Sequence, residues 1–278
     1  MESKIYLYTN EGNKQMMSFV ITTQDGRVIV IDGGYDNDAP KLMEALQKIT
    51  GEKKPHVDAW FLTHAHDDHI SAFGVFYEEY LEGFTCDAVY YTFPSVQYFQ
   101  KYERGTVPTL ERFYNVDLPI VGNRAHIVST GDIYHVGDAE IEILQTYDDT
   151  VTDDIVNNSS TIFTVRLGGK RILFMGDAGV EAGKRLLARY GDNLKSDICQ
   201  LAHHGQDGVT EDVYTTIEPE ACLWCTPDWL WVNNYYGSRN PETVGMGPFT
   251  TLETREWMEK LGVKTHYVAK DGDLEIAL

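Results

Sequence analysis

Two stretches of this chain are written alike, and that repetition limits what it can fold into. Residues 17–22 and 27–31 are short apolar runs on either side of Gln24-Asp25-Gly26, and the second run ends in Asp32-Gly33-Gly34. Residues 161–167 and 171–175 flank Gly168-Gly169, and the second of these ends in Gly176-Asp177. Apolar runs of this length around glycine-containing turns predict hairpin strands. A helical spacing follows each pair: Leu42, Leu46 and Ile49 in the first, an amphipathic stretch over Val180–Tyr190 in the second. The strings RVIVIDGG and RILFMGDAG therefore predict two related ββα halves. No Pro/Ser-rich linker separates them. The expectation is one α+β domain over residues 1–278, a four-layer αββα sandwich with helices outside two packed sheets.

The remaining segments fit that plan. Strands are predicted at 5–8, 57–62, 86–91, 127–128, 133–136, 141–144, 197–202, 221–225, 264–268 and 274–277. Helices are predicted at 70–81, 95–104, Glu211–Ile217 and 252–261. The acidic stretch 148–154 has little apolar content and reads as a loop.

Hydrophobic residues make up 42% of the 278 and charged residues 24%, the balance of an ordinary globular protein. The formal charge of −20 repels nucleic-acid backbones and anionic lipid faces, so neither stable duplex binding nor a membrane partner is expected. Nuclease chemistry stays open, because bound dications reverse the local field. The first fifteen residues lack the basic-then-apolar pattern of a signal peptide, and no apolar run reaches bilayer length. Cys86 and Cys199 sit among apolar residues and read as reduced, buried thiols, which points to a cytoplasmic protein. Cys222 and Cys225 have redox or zinc spacing, but in a strand residues three apart face opposite ways.

The chemistry concentrates in Thr63-His64-Ala65-His66-Asp67-Asp68-His69, directly after a predicted strand. Three of the chain's 9 histidines and an aspartate fall within six residues there. Imidazole and carboxylate ligate zinc, iron and manganese. In extended backbone His64 and His66 face the same way, while Asp68 and His69 address a second position nearby. That spacing suits two divalent ions, zinc first, with manganese and iron as alternatives. They would serve a hydrolase that attacks with a metal-bound hydroxide. His56, His126, His135 and His266 are isolated and read as structural or surface residues.

His-x-His-x-Asp-His after a strand resembles the metallo-β-lactamase superfamily, and further positions fit in order over nearly the whole chain. Asp32 resembles the strand-end Asp that supports the site from behind. Asp177 resembles the Asp that bridges the two metals, and His203-His204-Gly205 resembles the final His motif. The resemblance implies His64, His66, Asp68, His69, Asp177 and His204 as metal ligands, with Asp68 and His203 as catalytic groups. His204 is favoured over His203 because it directly precedes the glycine; His203 then contacts substrate, acts as general acid or orients other groups.

One departure matters. Lactam- and thioester-opening members supply a further His before the hairpin that leads to the bridging Asp. Here Asn157-Asn158-Ser159-Ser160 stands in that place. Asn157 and Ser160, then Gly-Asp, then His-His-Gly, resemble the hydrolase domain of competence proteins and the phosphorylcholine esterases. Asp32, Asn157, Asn158 and Ser160 are thus expected as supporting residues or weak ligands. The implied substrate is a small phosphodiester or phosphorylcholine-type ester. A carbon-ester hydrolase (lactonase or thioesterase) and a non-hydrolytic binding or redox module are the alternatives. The aromatic stretch 224–236 reads either as a wall of the pocket or as a packed loop. Oligomeric state is not legible.

Overall fold

Strands that are apolar on both faces must be covered on both faces, and that requirement organises the structure. The computed structural model describes residues 2–234 and 240–278. The first sheet holds β1 (Lys4–Leu7), β2 (Ser18–Thr22), β3 (Val28–Asp32), β4 (His56–Phe61), β5 (Thr85–Tyr91) and β6 (Ala125–Ile127). The second holds β7 (Ile133–Val136), β8 (Ala139–Gln145), β9 (Ile162–Leu167), β10 (Lys170–Phe174), β11 (Ile198–Gln200), β12 (Ala221–Trp224) and β13 (Thr265–Val268). The last strand, β14 (Leu274–Ala277), returns to the first sheet. The two seven-stranded orders are β14-β1-β2-β3-β4-β5-β6 and β13-β12-β11-β10-β9-β8-β7. The predicted final strands are thus present, but they belong to opposite sheets.

Alternation along each strand sorts side chains into layers. Phe19, Ile21, Ile29, Ile31 and Phe61 face Phe163, Val165, Ile172 and Phe174 between the sheets. Val20, Val30 and Trp60 point outward to α1 (Ala39–Thr50) and α2 (Asp67–Glu78). The short helices α3 (Val96–Tyr102), α4 (Val107–Arg112) and α5 (Leu118–Val121) extend that outer layer, where the sequence pattern had given no reading for 107–121. Leu173, Cys199 and Cys222 point outward on the other side, with Leu186, Val213 and Met258. Those residues come from α6 (Val180–Tyr190), α7 (Glu211–Ile217) and, beyond the short α8 (Asp228–Trp231), α9 (Thr251–Leu261). The architecture is the expected α+β sandwich. Each fully buried Phe of the middle layer contributes about 1.5–3 kcal/mol over exposure.

Both predicted hairpins form. β2 pairs antiparallel with β3, and β9 with β10 from Leu167↔Lys170. β3 and β4 then run parallel, as do β10 and β11, so their carboxyl ends gather along one edge of the sandwich. The first helix expected after the histidine string begins earlier than 70. Asp67 and Asp68 form its first turn, where carboxylates favour the helix dipole, and His66 is its extended N-cap. The Ala72 N–H donates to the Gly34 carbonyl, and Gly34 N–H to the His69 carbonyl, so the helix start is tied to the end of β3. No helix among the described residues is long and apolar enough to cross a membrane.

Candidate metal centre

The end of β3 sets the centre from behind. Asp32 is fully buried with φ +54°, which turns the chain sharply as the strand ends. Its carboxylate accepts from the Thr63 N–H (2.8 Å), the Thr63 hydroxyl (2.7 Å) and His69 Nδ1 (2.7 Å). An acceptor on Nδ1 fixes the proton there and turns Nε2 of His69 into the site. The Thr63 backbone carbonyl in turn receives the Thr161 N–H at 2.9 Å, which joins β4 to the start of β9.

The second sheet brings the other half. Gly176 has φ +54°, and a β-carbon there would lie 2.9 Å from Ser160 Oγ and 3.0 Å from the Thr63 β-carbon. Only glycine lets the two sheet ends approach this closely. Ser160 Oγ accepts the Asp177 N–H at 3.0 Å and so holds the bridging candidate. After β11 both His203 (φ +50°) and His204 (φ +55°) are left-handed. Strand alternation therefore does not separate the two rings; this tight turn does. His204 Nδ1 meets the Cys225 carbonyl at 3.1 Å, and its own carbonyl accepts from the Thr226 hydroxyl at 2.5 Å.

The ligand candidates fall into two triplets. His64, His66 and Asp177 form one; Asp68, His69 and His204 form the other; within each the ligand atoms lie within 4.8 Å of one another. Asp177 Oδ2 stands between them, 3.8 Å from His64 Nε2, 3.2 Å from His69 Nε2 and 3.3 Å from His204 Nε2. Asp68 Oδ2 is 3.1 Å from His204 Nε2. Yet Asp68 Oδ2, His69 Nε2, Asp177 Oδ1 and His204 Nε2 are buried with no hydrogen bond among the described residues. Buried polar atoms are ordinarily satisfied, so four converging orphans of ligand type fit divalent cations.

The electrostatics agree. Burial opposes charge on Asp177, but the imidazoles of His204 and His69 hold it well below the usual carboxylate range. Burial likewise opposes the charge on Asp68, yet His69 and His204 bring it down to about 2. Burial disfavours the charged His204 ring, but Asp177 and Asp68 lift it to about 9, and the same carboxylates raise His69. Burial, with His69 nearby, depresses His64, and burial depresses His66. The metal-free centre is thus a carboxylate–imidazolium cluster around His69 and His204, beside two neutral imidazoles.

The supporting residues divide. The Asn158 side chain caps α6, its Oδ1 accepting the Ala182 N–H at 2.9 Å and its Nδ2 donating to the Asp153 carbonyl. Oδ1 and Nδ2 of that amide are thus each engaged, at the start of α6 and on the loop before it. Asn157 Nδ2 donates to Asp154 Oδ1 at 2.8 Å, and its buried Oδ1 has no partner among the described residues. His203 lies outside both triplets, its N–H donating to the Gly176 carbonyl at 3.1 Å, with Nδ1 unpartnered among the described residues. Sequence reasoning missed Asp154 and Gln200. Gln200 is a buried amide that accepts from Met175 N–H and donates to the Gly176 and Leu201 carbonyls, so it braces the Asp177 turn. A lone Gln in an apolar strand was its available signal.

Other expectations also find their place. Cys222 faces the outer helices and Cys225 the space between the sheets. Trp229 Nε1 donates to the Asn13 carbonyl, and Trp231 packs edge-on against Trp224. Trp231 lines a cavity of about 410 Å³ with Arg255 and His266 that holds none of the ligand candidates. Tyr235 and Tyr236 lie outside the described residues. A third group, His56, Asp58 and Asp87, is more exposed. There Asp58 already accepts from Arg27 and the Val28 N–H, and His56 meets Thr85.

A two-sheet sandwich with paired His/Asp triplets at the strand ends defines a metal-dependent hydrolase fold. The chain belongs to the metallo-β-lactamase superfamily, whose model matches residues 13–212. No curated protein matches it. Among solved structures it is similar to the metallo-β-lactamase fold protein YhfI from Bacillus subtilis (13% identity, 99% of this chain and 100% of that one, TM-score 0.57). Unliganded yeast PDE1 is similar at 11% identity, with 100% of both chains covered and a TM-score of 0.56. CmlA, a diiron β-hydroxylase from Streptomyces venezuelae, matches all of this chain over 54% of its own length (11% identity, TM-score 0.55). At such identities these likenesses describe the fold.

Proposed function

We propose that the centre hydrolyses a small phosphodiester or a phosphorylcholine-type ester. One observation carries this reading: the segment that leads into β9 and holds the Asp177 backbone offers an amide and a hydroxyl, Asn157 and Ser160, and no histidine. Ser160 is engaged with the Asp177 backbone, so the three donors of the His64, His66 and Asp177 triplet would leave a further coordination position to a water or a substrate oxygen. His64, His66 and Asp177 would hold one divalent ion, and Asp68, His69 and His204 the other, with zinc the first to try. When bound, such a pair acidifies a water toward neutrality and offsets charge developing on phosphorus. Asp32 and the Cys225 carbonyl keep the His69 and His204 rings oriented. His203, whose Nδ1 has no partner among the described residues, would give a proton to the leaving oxygen.

The test is turnover of bis-p-nitrophenyl phosphate with Zn²⁺ or Mn²⁺ by wild type and His66→Ala, beside nitrocefin, a homoserine lactone and an acyl thioester. Metal-dependent phosphodiester cleavage that falls at least about 100-fold in the variant is expected. Turnover without metal, full activity in His66→Ala, or preference for a carbon ester would overturn it.

A further inference from the structure

A cavity of about 220 Å³ lies where α2 meets the segment 108–117, lined by Ile70, Ser71, Pro108, Thr109, Arg112 and Asp117. None of these residues belongs to either ligand triplet. Asp117 is only 2% exposed, and its Oδ1 has no hydrogen-bond partner among the described residues. Arg112 Nε, buried and equally without one, stands 3.5 Å from it. The two charges are within ion-pair distance, but these atoms do not hydrogen-bond each other. The other end of the guanidinium is committed, Nη2 donating to Glu78 Oε2 at 2.7 Å.

The fold holds the two groups in this relation. Phe113–Asp117 is a wide π turn between α4 and α5 and carries Asp117 at its end. Turns of this kind recur at functional sites. Gly74, inside α2, admits the guanidinium: a β-carbon there would lie 2.8 Å from both Nε and Nη2 of Arg112. Glycine weakens a helix interior, so the close approach accounts for its presence at this position. Burial outweighs Arg112 and, with Glu78, pushes the Asp117 carboxyl up to about 6, as expected of a carboxylate short of donors.

The lining decides what can sit there. One positive and one negative group line the cavity and oppose each other, so a charged ligand gains little from it. A carboxylate only accepts and a guanidinium only donates, so a ligand between them must do both. A hydroxyl does so, donating to the carboxylate while its oxygen accepts from the guanidinium. Ser71 and Thr109 supply hydroxyls that match a second such group, and Ile70 and Pro108 give an apolar wall for the carbons between. We propose that this cavity binds a small uncharged polyol, one hydroxyl of which bridges Arg112 and Asp117.

The experiment titrates the full chain with glycerol and with D-ribose and follows backbone-amide NMR shifts, with choline and acetate as charged controls. Saturable shifts confined to residues 70–78 and 107–118 are expected, with a Kd for D-ribose in the millimolar range and no saturation by either control. Asp117→Asn keeps the shape of the side chain and removes its charge, and should weaken D-ribose at least about 10-fold. Thr109→Ala alters a partly exposed hydroxyl without touching the ion pair, and should weaken it about 3-fold with the fold intact. Shifts that grow linearly without saturation, or that spread over the whole surface, would overturn the proposal. So would saturable binding of choline or acetate at these residues, or wild-type affinity for D-ribose in both variants.

Discussion

The two halves of the metal centre are built to different standards. The rings of His69 and His204 are each held from behind, by the Asp32 carboxylate at 2.7 Å and the Cys225 carbonyl at 3.1 Å. Asp68 beside them is on the first turn of α2, itself tied to β3 through Gly34. His64 and His66 have less support. Among the described residues His64 hydrogen-bonds the Thr63 hydroxyl at 3.1 Å and His66 Nδ1 at 2.9 Å, and His66 is partly exposed. The difference teaches where preorganisation comes from. Candidate ligands held from behind by the fold are oriented without an ion, while the less supported pair would be oriented only by a bound one.

The sharpest way to break this contrast is to remove one ligand from the anchored half. His204→Ala is expected to cost one bound ion and at least about 100-fold in kcat, with CD unchanged. Elemental analysis and turnover would check it. A variant retaining both ions would show that the anchored half does not depend on its imidazoles.

Protons give a second contrast. His69 and His204 are raised, His204 to about 9, so they carry protons at neutral pH that an incoming ion must displace. His64 and His66 are depressed by burial and bind without that exchange. Affinity at one position should therefore rise with pH up to about 9 while the other stays nearly flat above the ordinary histidine value of 6.5. Calorimetry in buffers of different ionisation enthalpy reads the released protons, and equal release at both positions would erase the distinction. The metal-free fold follows the same linkage with opposite sense. The raised His204 stabilises fully below pH 6.5 and loses that contribution as pH rises through about 9. The lowered Asp68 stabilises above its ordinary 3.8 and loses it as pH falls through about 2. The metal-free Tm should thus drop between pH 6.5 and 9.

The smallest effect separates two neighbouring amides. Asn158→Ala removes the cap on α6 and should cost about 1 kcal/mol in denaturant unfolding with metal content unchanged. Loss of metal in this variant would place Asn158 among the ligands after all.

What was legible before the fold is uneven for physical reasons. The hairpins around Gly26 and Gly168-Gly169 announce themselves because turn chemistry and apolar alternation are local. The early start of α2 at Asp67 was readable too, from two carboxylates after an extended His, but the apolar period begins only at Ile70 and drew the boundary late. Helices across 107–121 carry no clean period, since Pro108 and Pro119 each open a very short helix and a wider π turn lies between the two.

The sequence by itself determined the candidate donors. Composition rarely assembles His64, His66, Asp68 and His69 in six residues, and the paired hairpin strings set where Asp32 and Asp177 must fall. Only the tertiary structure decided the partnerships. It set Asp177 from the second sheet among imidazoles from the first. It gave His204 rather than His203 to the centre through two left-handed residues. It also set Asp154, from the acidic loop, beside Gly179. Local sequence encodes which chemistry a residue can perform, while the approach of two sheet edges, set by glycines and buried hydrogen bonds, encodes which residues perform it together.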